Sequence, residues 1–219
     1  MKKLFLILAI IVCANCQSQN NIEAFGKLLG HEKAEAFNSA VSSFQEFLIL
    51  NYPNIDNENE RIGEFLKTII HSENIKANFK FNKELCAKVV SNWESSGLRK
   101  EIWLYPDEEY SSPIYGEVTI EEEVMPIARD GEIETDTIDL SKYLASNTFG
   151  LFQYGLEKYA PNDNLILDYV DSKKAMGDIY YKPVAESIYK LKIKYNEPFF
   201  MKILIVEFYY DLISLAIVE

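Results

Sequence analysis

The last stretch of the chain constrains the fold most. From Pro198 to Val218 it is apolar nearly all round, interrupted only by Lys202, Glu207 and Asp211. A helix that is apolar on every side belongs either inside a larger structure or in a membrane. Charges at the centre of a membrane span cost a few kcal/mol each. The segment therefore reads as a central helix buried by its neighbours, with the three charges on one wetted edge.

Helical spacing supplies those neighbours in two blocks. In the first, Phe37, Ala40, Val41, Phe44, Phe47 and Leu48 share one face, and Tyr52-Pro53 ends the run. Asn57 with Glu60 makes a helix start, followed by Ile62, Phe65, Leu66, Ile69 and Ile70. A third helix begins near Asn82, carries Leu85, Cys86, Val89, Val90 and Trp93, and stops at Gly97. The second block runs from Leu140, Tyr143 and Leu144 through Phe149, Phe152, Leu156 and Tyr159 to a break at Pro161-Asn162. Leu165, Ile166, Tyr169 and Val170 form the next helix, which Gly177 ends. Pro183 suits the first turn of another, faced by Val184, Ile188, Leu191 and Tyr195.

Between the blocks the period changes. Glu101 to Tyr105 reads as a short strand. Val118, Ile120, Glu122 and Val124 alternate with polar neighbours, and Ile133, Thr135 and Thr137 lie opposite Glu132, Glu134 and Asp136. That pattern predicts a hairpin or small meander with an acidic outer face. The expected fold class is α+β: mainly α-helical, with a small antiparallel β insertion at about 100–138 between two helical blocks.

The N-terminus carries a different signal. Lys2 and Lys3 precede an apolar run from Leu4 to Val12, and polar residues follow from Asn15 to Asn20. This is the order of a secretory signal peptide, too short to span a bilayer. Cys13-Ala14-Asn15-Cys16 resembles a lipobox, and Cys16 to Gln19 resembles the leaders of Bacteroidota-type lipoproteins. The resemblance covers the leader alone. It implies cleavage before Cys16, acylation of that cysteine, and a mature domain spanning 16–219 in the cell envelope, in the periplasm or at the outer membrane. Asn15 departs from the small residue a lipobox carries at that place. Ordinary cleavage after Ala14, with Val12 at the −3 place, is the alternative.

A length of 219 residues suits one domain with a sizeable core, without disulfides or a metal. With Cys16 on lipid, Cys86 has no partner and reads as a small core hydrophobe. A catalytic thiol would need a base, and only His31 and His71 exist. The net charge of −12 excludes nucleic acid as a partner and excludes charge-driven binding to anionic lipid. Contact with a membrane is then expected only through an N-terminal lipid, and a basic protein is the partner class the charge permits.

No motif supplies a reaction. His31-Glu32-Lys33-Ala34-Glu35 resembles the start of a zinc-protease helix, but the second histidine is replaced by Glu35. His71 closes a helix, where a cation suits the dipole. The acidic runs Asp107-Glu108-Glu109, Glu121-Glu122-Glu123 and Asp130 to Asp139 do not match a calcium loop, because Gly131 follows the first acid directly. Alternation in a solvated strand, whose charged face blocks edge pairing, explains the spacing without calcium. No cofactor and no metal ligand is assigned.

The expected function is that of a non-enzymatic, envelope-anchored binding or interaction protein. Its recognition surface is expected in the acidic insertion from Tyr105 to Asp139, with Tyr105, Tyr110, Tyr115, Glu121, Glu122 and Glu123 as the contact residues. The alternative is a hydrolase acting on envelope carbohydrate or peptide through acidic residues. Two converging carboxylates with raised pKa values in a cleft would favour it.

Overall fold

A computed structural model describes residues 19–105, 108–118, 144–160, 163–178, 180–191 and 193–217. The leader, Cys16, most of the acidic insertion and Leu140 and Tyr143 lie outside these residues. The fold is mainly helical α+β, as the periodicity indicates.

Helix α1 (residues 19–29) runs into α2 (His31–Asn51), with Gly30 between them at φ 85°. Helices α3 (Glu58–His71) and α4 (Lys83–Ser96) complete the first block. The second block contains α5 (Leu151–Tyr159), α6 (Asn164–Met176) and α7 (Tyr181–Leu191). The apolar tail forms α8 (Pro198–Leu204), a π-helical turn (Ile205–Tyr209) and α9 (Tyr210–Ile217) in one continuous run.

Local chemistry sets most boundaries. The Asn57 side chain accepts from the Glu60 N–H at 3.1 Å, and Asn82 accepts from the Leu85 N–H at 3.2 Å. Each satisfies one of the donors that a helix start leaves unpaired. Asp163 caps α6 through the Leu165 and Ile166 N–H groups. Gly97 ends α4 in the left-handed region, which a side chain would disfavour.

Packing surrounds the last helix. Helix α4 lies against both α2 and α9, α3 lies against α7 and α2, and the π turn touches α2. Tyr209 meets Phe44 and Phe47 at ring separations of 5.0 and 5.2 Å. Tyr210 stacks on Trp93 at 4.5 Å and on Trp103 at 5.0 Å. The predicted core residues Phe37, Phe44, Leu66, Val89, Trp93, Phe152, Leu156 and Ile188 are all buried, as is Cys86. Leu191 and Phe149, placed on apolar helix faces by their spacing, are instead exposed. Phe149 precedes α5 rather than belonging to it.

One expectation about the last helix is corrected. Only Asp211 lies at the wetted edge, while Lys202 and Glu207 are 7% and 9% exposed. Glu207 can be buried because Lys173 and Tyr169 reach it from α6. Lys202 is buried against the rings of Phe25 and Phe37.

The β structure consists of two separate antiparallel pairs among the described residues. Strand β1 (Trp103–Leu104) pairs with β4 (Ala145–Ser146), with Trp103 opposite Ser146. Strands β2 (Tyr110–Ser112) and β3 (Gly116–Val118) form a hairpin with Tyr110 opposite Val118. The expected strand from Glu101 is shorter, because Arg99–Glu101 is a 3₁₀ turn. Two close approaches fix this region. A Cβ on Gly150 would sit 2.1 Å from the Glu101 carbonyl oxygen, and one on Gly155 would sit 2.6 Å from the Phe25 ring. A side chain at Gly150 would force the backbone to move, and one at Gly155 would force the Phe25 ring to shift.

Phe44 lies at the centre of the ring cluster, fully buried against Phe47, Phe65 and Tyr209. Phe44→Ala is expected to lower stability by about 3–5 kcal/mol. Urea denaturation of the variant against the parent measures it.

Candidate functional site

The tyrosines singled out from the sequence occupy different environments. Tyr105 is 39% exposed, and its ring faces the Arg99 guanidinium at 4.7 Å. Tyr115 is 51% exposed at the β2–β3 turn. Tyr110 is buried, and its hydroxyl donates to Glu101 at 2.7 Å. Burial first, and then the Glu101 carboxylate, raises its pKa. Tyr110 thus anchors the hairpin from inside and is not available as a surface contact. Glu121, Glu122, Glu123 and Cys16 lie outside the described residues.

Two buried ionic groups hold the base of the insertion, and the sequence reading assigned neither. Glu101 accepts from the Lys33 ammonium on α2, from Tyr110 on β2 and from the Leu151 N–H at 2.9 Å, where α5 begins. Four segments therefore meet at one carboxylate. Arg99 is the second group. Its Nη1 and Nη2 donate to the two oxygens of Glu108 at 2.6 Å each, its Nε donates to Glu94 at 3.0 Å, and Nη1 also reaches the Trp103 carbonyl. Fork-on-fork pairing of this kind fixes orientation as well as charge. Glu108, from the acidic run Asp107-Glu108-Glu109, is thereby clamped to Arg99.

The Arg99 hydrogen bonds hold the Glu108 carboxyl down from 4.5 to about 2. A carboxyl depressed on folding contributes stability above its unfolded pKa and loses it as pH falls through the folded value. The pair's contribution is therefore complete above pH 4.5 and disappears toward pH 2. Glu108→Gln is expected to lower the denaturation midpoint at pH 7 and to flatten the acid dependence across that window. Melting curves from pH 7 down to pH 2 test it.

A third cluster surrounds the π turn. Lys173 lies 3.0 Å from Glu207 and 3.4 Å from Asp178, and its ammonium donates to Ser146 Oγ at 3.2 Å. The Tyr169 hydroxyl donates to Glu207 at 2.6 Å. Asp211, one turn on, is raised to about 6 by desolvation first, and then by Glu207 and Asp178. Its side chain nonetheless reaches solvent. Lys173 and Glu207 are 3% and 5% exposed at the side chain. Removing one member of a buried ion pair leaves the other uncompensated, which costs about 3–5 kcal/mol. Lys173→Met is expected to show that loss, whereas Lys173→Met combined with Glu207→Met is expected to lose less. A double-mutant cycle in urea separates the two outcomes.

Solvent meets a small aromatic patch at the hairpin. The exposed Tyr115 ring stands edge-on to the exposed Phe149 at 5.8 Å and to Tyr154 at 6.4 Å, with Ile114 exposed beside it. Ser112 Oγ donates to the Phe149 carbonyl at 2.9 Å, so the turn and the segment before α5 are held together. Ile114, Tyr115 and Phe149 are thus exposed together on a hydrogen-bonded base.

The histidines serve helices. His31 and Glu35 are an exposed pair at 3.4 Å on the first turns of α2, and His71 occupies the last turn of α3. Among the described residues no group of three or more His, Cys, Asp or Glu side chains is placed to hold a metal ion. No described helix is long and apolar enough to cross a membrane. No family model, no curated protein and no solved structure matches the chain.

Proposed function

We propose that this is an exported, lipid-anchored cell-envelope protein that binds another macromolecule and catalyses no reaction. The observation that carries the reading is the exposed Ile114, Tyr115 and Phe149 patch on its hydrogen-bonded base. The charge of −12 favours a basic protein as the partner, and Glu121, Glu122 and Glu123 follow the patch in sequence. The leader supports acylation at Cys16, with membrane contact through that lipid. Two buried carboxylates, Glu101 and Glu207, already have protein partners and are not poised for catalysis.

One observation favours the hydrolase alternative. Asp211 is raised toward neutrality beside Glu207 and Asp178, which is the asymmetry that acid–base pairs need. Against it, Glu207 is held by Lys173 and Tyr169, and the cavities lined by Phe25 and by Cys86 contain none of these carboxylates.

A single set of variants tests the proposal. Membranes from cells producing the protein are crosslinked, and partner recovery is compared for the parent, for Tyr115→Ala with Phe149→Ala, and for the triple Glu121, Glu122 and Glu123 to Gln variant. Both variants are expected to recover at least about tenfold less partner at unchanged melting temperature. Recovery from the parent is expected to fall with added salt. Cys16→Ala is expected to move the protein to the soluble fraction. A parent protein already soluble, or unchanged recovery from both variants, overturns the reading.

A further inference from the structure

Helices α1, α2 and α8 line a half-open cavity of about 530 Å³. That is within the range of roughly 300–1,000 Å³ found for small-molecule sites. Its apolar wall comes from Ile22, Phe25 and Leu29 of α1 and from Ala34 and Phe37 of α2. Phe25 is itself fixed by edge-on contacts to Phe152 and Phe199 and by the missing side chain at Gly155. The wall is therefore braced from behind.

Lys202 of α8 is the charged group in this wall that is buried, at 7% exposed. An ammonium carries three donors and no acceptor. Among the described residues it has no hydrogen-bond acceptor and no counter-ion. Its company is two ring faces, with the nitrogen 5.8 Å from the Phe25 centroid and 5.4 Å from the Phe37 centroid. Lys173, the other buried lysine among the described residues, shows how this protein otherwise treats such a group. That ammonium is closed by Glu207, Asp178 and Ser146. A buried charge without a partner is costly. The Lys202 nitrogen is not among the fully buried atoms and meets solvent in the half-open cavity, so an acceptor from outside the chain can reach it there.

The other charged groups facing the cavity lie at its mouth. Glu23 is paired with Lys27 at 2.6 Å, and His31 with Glu35 at 3.4 Å, all well exposed. Glu23, the acid of the lining, is already paired with Lys27. Asn38 is the remaining polar side chain in the lining. One cation and one amide suit a single carboxylate head, and the aromatic and aliphatic wall suits a hydrocarbon body. We propose that this cavity binds a small monoanionic amphipath, a carboxylate on an alkyl chain, with its head on the Lys202 ammonium and its chain along Phe25, Leu29 and Phe37. The site is independent of the anchoring and of the aromatic patch. Burial lowers the Lys202 pKa to about 8, so the ammonium remains mostly charged at pH 7 and is lost above that value.

The test uses the purified exported protein and three probes of equal chain length: decanoate, decanol and decylammonium, each titrated calorimetrically at pH 7. Decanoate is expected to bind on the order of tenfold or more tightly than decanol, and decylammonium not at all. Raising the pH to 9.5 should remove the preference for decanoate. Lys202→Met keeps the apolar stem but not the charge. It is expected to bind decanoate and decanol alike at both pH values, and to melt at a higher temperature than the parent when empty. A second variant, Ala34→Phe, narrows the cavity and leaves Lys202 in place, and it is expected to lose decanoate binding. Equal affinity of the parent for decanoate and decanol, no binding of either, or full decanoate binding by Lys202→Met would each overturn the proposal.

Discussion

An apolar helix of this length needs partners on every side, and the arrangement of the other helices follows from that need. Residues 198–217 bury Ile203, Leu204, Ile205, Phe208, Tyr209 and Ile213 almost completely. To cover them, α2 and α4 lie on the tail directly, and α3 joins through Phe65 and its contact with Phe208. Aromatic rings carry much of the contact, since each buries a large area and tolerates edge-on or offset stacking. The Trp93, Tyr210 and Trp103 stack extends this core to β1, so the strand is placed by the tail as much as by its own pairing. The π turn falls in the middle of the tail and carries Glu207. π turns occur mostly as local interruptions at places where a side chain has a special task. Here that task is to meet Lys173 and Tyr169 from α6.

Burial of the tail also decides which charges the rest of the chain must supply. Glu207 would be untenable inside without Lys173, and Lys173 would be untenable without Glu207. The same reciprocity holds at the base of the insertion. Glu101 ties α2, β2 and the start of α5, and Arg99 ties α4 to the loop that ends at Glu108. At Glu101 and Glu108 both carboxylate oxygens are met by donors, which fixes these groups in place. What they position is the hairpin, whose turn presents Tyr115 beside Phe149 to water. These ion pairs fix the base from which the hairpin projects, as a scaffold positions a surface loop.

The helices were legible in the sequence because their signals are local. Asn57, Asn82 and Gly97 act on residues within one turn, and an apolar face needs no knowledge of its partner. The strands were less legible because pairing is nonlocal. Trp103 meets Ser146 across the whole insertion, and nothing near either residue announces the other. The site residues followed the same division. Tyr115 reads correctly as exposed, since a turn rich in polar and small residues lies at the surface. Tyr110, five residues earlier, reads the same way but is buried, because Glu101 and the strand alternation turn it inward. The fates of Lys202 and Glu207 were beyond sequence reading for a related reason. A charge in an apolar helix signals either a wet edge or a buried pair, and only the position of α6 and α1 decides between them.

The two buried lysines also differ in what they do to the stability of the empty protein. Lys173 brings its own compensation, so its region is complete without a ligand. Lys202 instead has two ring faces and the solvent of the half-open cavity, and ring faces attract a cation more weakly than a carboxylate does. The balance between charged and neutral Lys202 is accordingly shifted toward neutral by burial alone. An anion arriving in the cavity would restore the charged form and add a contact between α8 and both helices that wall it. Ligands that bind only the folded state stabilise it by mass action. Helix α1 would gain from such a contact, because it precedes α2 by a single glycine and is held by Phe25 against Phe152 and Phe199 and by the buried Leu29. Occupancy of the cavity would then add to the contacts that already hold α1, among them the buried Phe25 and Leu29.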